Sequence, residues 1–243
     1  MKAFRRLPAL ALAVFCAAPA YPARCPLITQ PEPDWQAVTG TYPQAGTVPA
    51  LGEQAVLFWL QRARTAQDVD RASGENTVSF GCYAQDITLA PGLLGGAVDL
   101  HDFPRTQAIL DHARADVWPV LQTLRATYNR PRPFQEFQGL DPALPEADTP
   151  SFPSAHAMLG CFFGCIIAQY DPTDRAALEA TGQLLGTDRV LGGVHYPSDV
   201  TAGQKLGHAY ATWWINQHLG LIQTACDEWS AARAKAWARV NGR

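Results

Sequence analysis

An uncharged stretch, "AMLGCFFGCIIAQY" at 157–170, most restricts what this chain can fold into. It is shorter than the roughly 20 residues that a membrane-spanning helix needs. The stretch therefore predicts a buried helix rather than a membrane span. No later window of 18 apolar residues occurs, so we expect no membrane insertion after processing.

Helical periodicity dominates the rest of the chain, and strand signals are weak throughout. Apolar spacing and helix-start residues predict helices at 51–73, 103–129 with a kink at Pro119, from 154 onward, 171–190, 197–220 and 221–239. Between them, 74–96 is broken by glycine and proline, and 129–153 carries six prolines without a period. The predicted fold class is all-α, with polar loops gathered between four or five helices.

The N-terminus has the pattern of a secretory signal peptide. A basic start is followed by an apolar run at 7–18 and a small-x-small cleavage site at 18–20. An uncleaved amphipathic anchor is the alternative. We predict a signal peptide over 1–20, an N-terminal extended arm over 21–50 and a helical domain over 51–243. The predicted location is periplasmic or secreted.

Charge and cysteine content narrow the function classes. Processing removes three positive residues and no acid, so the formal net charge of −3 becomes −6. A mildly acidic chain without a basic run argues against binding a nucleic-acid polymer. An odd number of cysteines remains and leaves the disulfide pattern open: Cys25, Cys82, Cys161, Cys165 and Cys226. They lack zinc-ligand spacing, and we predict no metal centre.

Three short segments carry candidate chemistry, and the first is "RATYNRPRP" at 125–133. Arg125, Arg130 and Arg132 crowd a helix end and a proline-locked turn. Pro131 and Pro133 fix the backbone on both sides of Arg132, and a rigid arginine suits bidentate recognition of an anion. A solvated basic patch is the alternative.

The second segment is "SFPSAHAM" at 151–158. Ser154 is a natural N-cap, and His156 falls in the first turn of the predicted helix. The free N–H groups of a helix start bind anions, and Ala155 lets a ligand approach the backbone closely. A plain capped helix with a hydrogen-bonded histidine is the alternative.

The third segment is "DRVLGGVHYPSD" at 188–199. If a helix begins near Pro197, the Asp199 carboxylate can fold back onto one nitrogen of His195 and leave the other as acceptor or nucleophile. Gly192 and Gly193 allow a tight turn that brings Arg189 alongside. A helix-capping aspartate beside an unrelated histidine is the alternative.

Together the segments supply several fixed cations, helix N–H donors and two histidines, without paired catalytic carboxylates. A phosphate-like oxyanion is the ligand that explains this set. One histidine can attack phosphorus while the other protonates the leaving oxygen. The arginines then stabilise charge on the equatorial oxygens.

The three segments resemble, in order, the signature of the type 2 phosphatidic acid phosphatase superfamily: Lys-x6-Arg-Pro, Pro-Ser-Gly-His and Ser-Arg-x5-His-x3-Asp. With a signal peptide and no membrane span, the chain is similar to the soluble class A bacterial non-specific acid phosphatases. The resemblance covers roughly residues 50–220. It implies a helical bundle of the acid phosphatase / vanadium haloperoxidase type, with the site at one end of the helices and no cofactor or metal.

The resemblance also implies roles for individual residues. His195 would form a phosphohistidine, Asp199 would orient it, and His156 would protonate the leaving alcohol. The implied phosphate ligands are Arg125, Arg132, Arg189, Ser154 and the backbone N–H of Ala155. The implied partners are a small phosphomonoester and inorganic phosphate. Phosphotransfer to an alcohol is an implied side activity, and exposed apolar helix faces leave a homodimer open.

Two charged positions depart from the signature. Arg125 stands for lysine, which keeps the charge but changes the reach. Asp188 replaces a serine, and its carboxylate would repel phosphate unless it is protonated or paired. We expect Asp188 to pair with a site arginine, and Arg125 is a candidate because it also departs from the signature. The third departure, Ala155 for glycine, should be mild.

Three other functions remain open at this point. A lipid or diphosphate phosphatase would keep the mechanism and change the substrate. A vanadate-dependent haloperoxidase would use the same motifs to hold vanadate. An inactive phosphate-binding relative would result if Asp188 had disabled the site.

Overall fold

The computed structural model describes residues 31–75, 77–87 and 99–240, and every regular element in these residues is helical. The helices are α1 Trp35–Thr39, α2 Val48–Ala63, α3 Ala66–Gly74, α4 Phe80–Ile87, α5 Pro104–Tyr128, α6 Pro133–Glu136, α7 Ala155–Tyr170, α8 Arg175–Leu191, α9 Pro197–Gln217, α10 Leu219–Gln223 and α11 Cys226–Val240. The predicted all-α class is confirmed. The predicted signal peptide lies outside the described residues.

The uncharged stretch at 157–170 lies in α7, which is buried along nearly its whole length. Helices α8 and α9 pack on it so closely that glycine is required at the contacts. A Cβ on Gly160 would lie 2.5 Å from the carbonyl oxygen of Gly182, and one on Gly207 would lie 2.3 Å from that of Met158. This close packing brings the start of α7, the end of α8 and the start of α9 together.

Aromatic side chains fill the core around α7. Phe162 packs edge-on against Tyr210 and Trp214 of α9, with ring centroids 5.1 and 5.6 Å apart. Trp229 of α11 packs on Phe103, which precedes α5, at 4.9 Å. Burying a phenylalanine side chain stabilises a fold by about 1.5–3 kcal/mol, so these contacts fix how α5, α9 and α11 surround α7.

Two predicted segments differ from the structure. The single helix predicted over 51–73 is divided into α2 and α3, because Arg64 is extended (φ −60°, ψ 136°) and Thr65 forms a reciprocal capping box with Asp68. The arm predicted over 21–50 contains α1 and the start of α2. Asp34 and Thr47 cap these two helices with their side chains.

The described residues contain no helix whose length and apolar character would let it cross a membrane. Cys82, Cys161, Cys165 and Cys226 are all free thiols, and Cys25 lies outside the described residues. Pro119 lies inside α5, and the kink expected there stays a prediction.

Candidate active site

Polar side chains from separate segments line one cavity of about 360 Å³, where α5 and α8 end and where α7 and α9 begin. Six residues that the sequence singled out line this cavity: Arg125, Arg132, Ala155, His156, Arg189 and His195. The fold therefore brings the three sequence segments to one place.

Backbone turns direct the side chains into the cavity. Asn129 takes a left-handed conformation (φ 43°) and ends α5, after which Arg132 is extended and precedes α6. Gly193 has φ 77°, a conformation that favours glycine. The resulting tight turn lets the backbone N–H of His195 donate to the Arg189 carbonyl at 3.3 Å. The turn expected at 192–193 is thus present.

The hydrogen bonds of His195 define its tautomer. Its Nδ1 lies 3.1 Å from Oδ2 of Asp199, and its Nε2 lies 2.9 Å from Nη1 of Arg132. A carboxylate only accepts and a guanidinium only donates. Nδ1 therefore carries the hydrogen, and the lone pair of Nε2, which accepts from Arg132, is the nucleophilic position. The contact between Asp199 and His195 is the one expected from the sequence.

The surroundings of His195 keep it neutral. Burial and the neighbouring Arg132 charge lower the pKa of His195 to about 3, although Asp199 opposes them. A neutral imidazole is the form that can attack an electrophile. His195 therefore stays in its reactive form in moderately acidic solution.

Asp199 is fully buried and is held by several donors. Burial opposes its ionisation, but His195, Arg130 and Ser151 outweigh burial and hold the pKa of Asp199 below its usual value. Nη1 of Arg130 donates to its Oδ1 at 2.7 Å, and the Ser151 hydroxyl donates to Oδ2. Glu53 accepts from the other arm of Arg130 at 2.9 Å. The histidine is thus anchored to a buried chain of charges.

Arg125 and Arg132 are buried with neutral acceptors. Their Nε atoms donate to the carbonyls of Pro153 at 3.1 Å and Thr149 at 2.9 Å. Neither guanidinium makes an ion pair within the part of the chain that is described. Burial lowers the pKa of each to about 10, with repulsion from Arg132 contributing at Arg125. Both stay charged at neutral pH, so the cavity holds positive charge that an anion would balance.

Arg189 and His156 meet at one residue that the sequence did not indicate. The Glu75 carboxylate accepts from Nη2 of Arg189 at 3.1 Å, while the Glu75 carbonyl lies 3.1 Å from Nε2 of His156. Nε of Arg189 is buried without a hydrogen-bond partner among the described residues. The Nε–H of Arg189 can therefore donate a hydrogen bond to an acceptor oxygen of a bound molecule.

Ser154 and Ala155 have different positions. Ser154 is fully buried, and its hydroxyl accepts from the Ala157 N–H at 3.4 Å as the N-cap of α7. Among the described residues that line the cavity, Ala155 is present and Ser154 is not. The phosphate contacts expected of both stay predictions.

The expected pairing of Asp188 with Arg125 is wrong. Asp188 is buried and accepts from Nε and Nη2 of Arg71 at 2.8 and 2.9 Å. Asp188 precedes Arg189 on α8, and successive helical residues point about 100° apart. The Asp188 carboxylate meets Arg71 of α3, whereas Arg189 reaches Glu75 just after that helix. Asp188 raises the pKa of Arg71 above its usual value.

Four further residues that act at the site escaped the sequence analysis: Glu53, Glu75, Thr149 and Ser151. Ser151 is the first residue of the second segment and Thr149 stands two residues before it, so their place in a proline-rich loop is a usable signal. Glu53 and Glu75 had none, because they lie in or after helices far along the chain from Arg130 and Arg189.

Comparison with known proteins agrees with this geometry. Residues 119–222 match the PAP2 superfamily, and all three segments fall within that range. This part of the chain is therefore similar to the PAP2 superfamily. A Bacillus subtilis structure, described as the first transmembrane PAP2 type phosphatidylglycerolphosphate phosphatase, is 17% identical with a TM-score of 0.51. The similarity covers 72% of this chain and 88% of that one, and it supports the same fold.

Several relatives carry phosphatase names. An acid phosphatase from Zymomonas mobilis is 29% identical over 58% of this chain and 51% of its own length. A non-specific acid phosphatase from Providencia stuartii is 24% identical over 77% of each chain. A lipid A 1-phosphatase from Rhizobium etli is 38% identical over 34% of this chain and 37% of its own. The matches thus span about half of the Zymomonas relative and just over a third of the Rhizobium one.

Removing the Asp188–Arg71 ion pair should lower the stability of the fold and leave phosphate binding unchanged. Asp188→Asn should destabilise the fold, and a double-mutant cycle with Arg71→Ala should give a coupling of about 1–2 kcal/mol in urea unfolding. Phosphate affinity should change less than about twofold, because the pair points away from the cavity. A large loss or gain of phosphate affinity in Asp188→Asn would contradict this placement.

Proposed function

We propose that this protein is an exported acid phosphatase that hydrolyses small phosphomonoesters through a phosphohistidine intermediate. The observation that carries the proposal is a neutral, oriented histidine beside two buried guanidinium groups that have no acid partner among the described residues. A dianionic phosphoryl group fits this charge, and the nucleophile faces the same cavity.

The mechanism has two steps. In the first, the lone pair on Nε2 of His195 forms a bond to phosphorus, the ester P–O bond breaks, and the leaving oxygen takes a proton from His156. In the second, water gives a proton to His156 and attacks phosphorus, and the N–P bond breaks to release phosphate. Asp199 stabilises the positive charge that develops on His195.

The arginines act on the charge of the phosphoryl group. Arg125 and Arg132 donate to equatorial oxygens, and the unpaired Nε of Arg189 supplies another donor. Glu75 holds Arg189 in place and fixes the position of His156. Export, the small soluble substrate and the covalent intermediate are parts of this proposal, as is a periplasmic or secreted location.

The nucleophile is tested with p-nitrophenyl phosphate in the presence of EDTA. His195→Ala should lower kcat by at least about 10³-fold, and alkaline quenching of wild-type turnover should trap a phosphohistidine. His208→Ala is the matched control, because His208 of α9 contacts Cys165 of α7 and is not part of the cavity lining. Activity that survives His195→Ala would refute the mechanism.

A second prediction concerns the acid limb of the pH profile. His195 must be neutral to attack, and a pKa of about 3 keeps it so above that pH. The acid limb of kcat/KM should therefore lie near pH 3. Arg132→Gln removes a charge that depresses the pKa of His195, so the acid limb should move to higher pH. An acid limb that stays in place would argue against His195 as the titrating group.

The exposed Trp118 side chain predicts a preference for phosphomonoesters whose leaving group is a nucleoside. Trp118 lines the cavity and is 39% exposed, and stacking a base on an aromatic ring contributes about 1–3 kcal/mol. Trp118→Ala should raise KM for nucleoside monophosphates about 5- to 160-fold and leave KM for glycerol phosphate unchanged. Trp59→Ala is the control, because Trp59 is 60% exposed on α2 and is not part of the cavity lining. Equal effects on both substrates would exclude stacking.

The Rhizobium relatives make a lipid phosphate the second substrate class to assay. A kcat/KM for a micellar lipid phosphate above that for every soluble monoester would replace the proposed substrate and keep the mechanism.

A further inference from the structure

Two histidines and a carboxylate meet outside the phosphate site. His112 and Asp116 stand four residues apart on α5 and share one helix face, and His218 follows the last turn of α9. Nε2 of His112 lies 3.5 Å and Nε2 of His218 lies 3.8 Å from Oδ2 of Asp116. The three atoms all lie within 4.8 Å of one another.

The buried Trp214 side chain and backbone orient two of these groups. Its indole N–H donates to Oδ2 of Asp116 at 2.7 Å, and its carbonyl lies 2.9 Å from Nδ1 of His218. Because a carbonyl only accepts, Nδ1 of His218 carries a hydrogen. The Trp214 indole also stacks on the His218 ring at 4.1 Å. Such outer-shell bonds are how proteins fix the tautomer and the direction of metal-binding histidines.

With Nδ1 hydrogen-bonded to the carbonyl, Nε2 of His218 faces the same carboxylate oxygen as Nε2 of His112 does. A metal ion among these three atoms would accept an electron pair from each of them. In a tetrahedral zinc site with bonds of about 2.0–2.1 Å, neighbouring ligand atoms are about 3.3 Å apart. The distances of 3.5 and 3.8 Å thus need only small adjustments.

We propose that His112, Asp116 and His218 bind a divalent transition-metal ion such as Zn²⁺, with water at the remaining position. Imidazole and carboxylate ligands suit Zn²⁺ and its first-row neighbours. His112 is 51% and His218 27% exposed, which gives an ion access from solvent. Asp116 precedes Arg125 by nine residues on α5, or about 14 Å along a helix. The ion would therefore link α5 to the end of α9 and take no part in phosphate chemistry.

The test uses the full protein after EDTA treatment and desalting, titrated with ZnCl₂ in a calorimeter. Wild type should bind one Zn²⁺ at this site, and His112→Ala and His218→Ala should each weaken that binding by at least about 10-fold, the loss that even an outer-shell change causes. His208→Ala is the control for another histidine of α9. Co²⁺ should give a visible d–d absorption that the His112→Ala/His218→Ala double variant lacks.

Thermal unfolding gives a second readout. Zn²⁺ at about 100 times its Kd should raise the Tm of wild type by about 5–10 °C and leave the Tm of the double variant unchanged. Unaltered Zn²⁺ affinity in the double variant would overturn the site. So would the absence of binding by wild type at about 100 µM Zn²⁺. Phosphatase turnover in EDTA is a separate measurement, so either proposal can fail without the other.

Discussion

The Asp199 carboxylate is the interaction on which the candidate active site depends. One of its oxygens meets His195 and the Ser151 hydroxyl, and the other accepts from Arg130. Because each of these groups comes from a different segment, the carboxylate joins the proline-rich loop to the start of α9. Burying the Asp199 carboxylate without these donors would cost several kcal/mol. The fold therefore depends on the donors, and the packing of the helices holds the donors in place.

Some arginines form ion pairs around the site, and others line its cavity. Arginines that support the fold are paired with acids, as Arg130 is with Glu53 and Arg71 is with Asp188. Arg125 and Arg132 have neutral acceptors and line the cavity. An anion bound there would gain charge-assisted hydrogen bonds from guanidinium groups that are already desolvated and held in place.

Sequence reasoning located the cavity residues because each segment combined a chemical group with a local backbone device. Pro133, the Ser154 cap and Gly193 all act as their residue types predict. Sequence patterns did not predict contacts that depend on the direction of a side chain or on residues far apart in the chain. The single helix predicted over 51–73 is divided at Thr65, where Thr65 and Asp68 form a capping box that starts a new helix. The sequence contains this Thr-x-x-Asp pattern. The expectation of no metal centre rested on cysteine spacing and on the family resemblance, and it stays a prediction that the site proposed at His112 and Asp116 would overturn.

The sequence by itself determined the helical character, the buried α7 and the residues on which the proposed phosphate chemistry rests, because periodicity and short motifs act over a few neighbouring positions. Only the tertiary structure decided which arginine each acid meets. Asp188 turns to Arg71 because adjacent residues on α8 face different neighbours. Glu53 reaches Arg130, and His218 reaches Asp116, through helix packing between positions far apart in the chain, which no local pattern records.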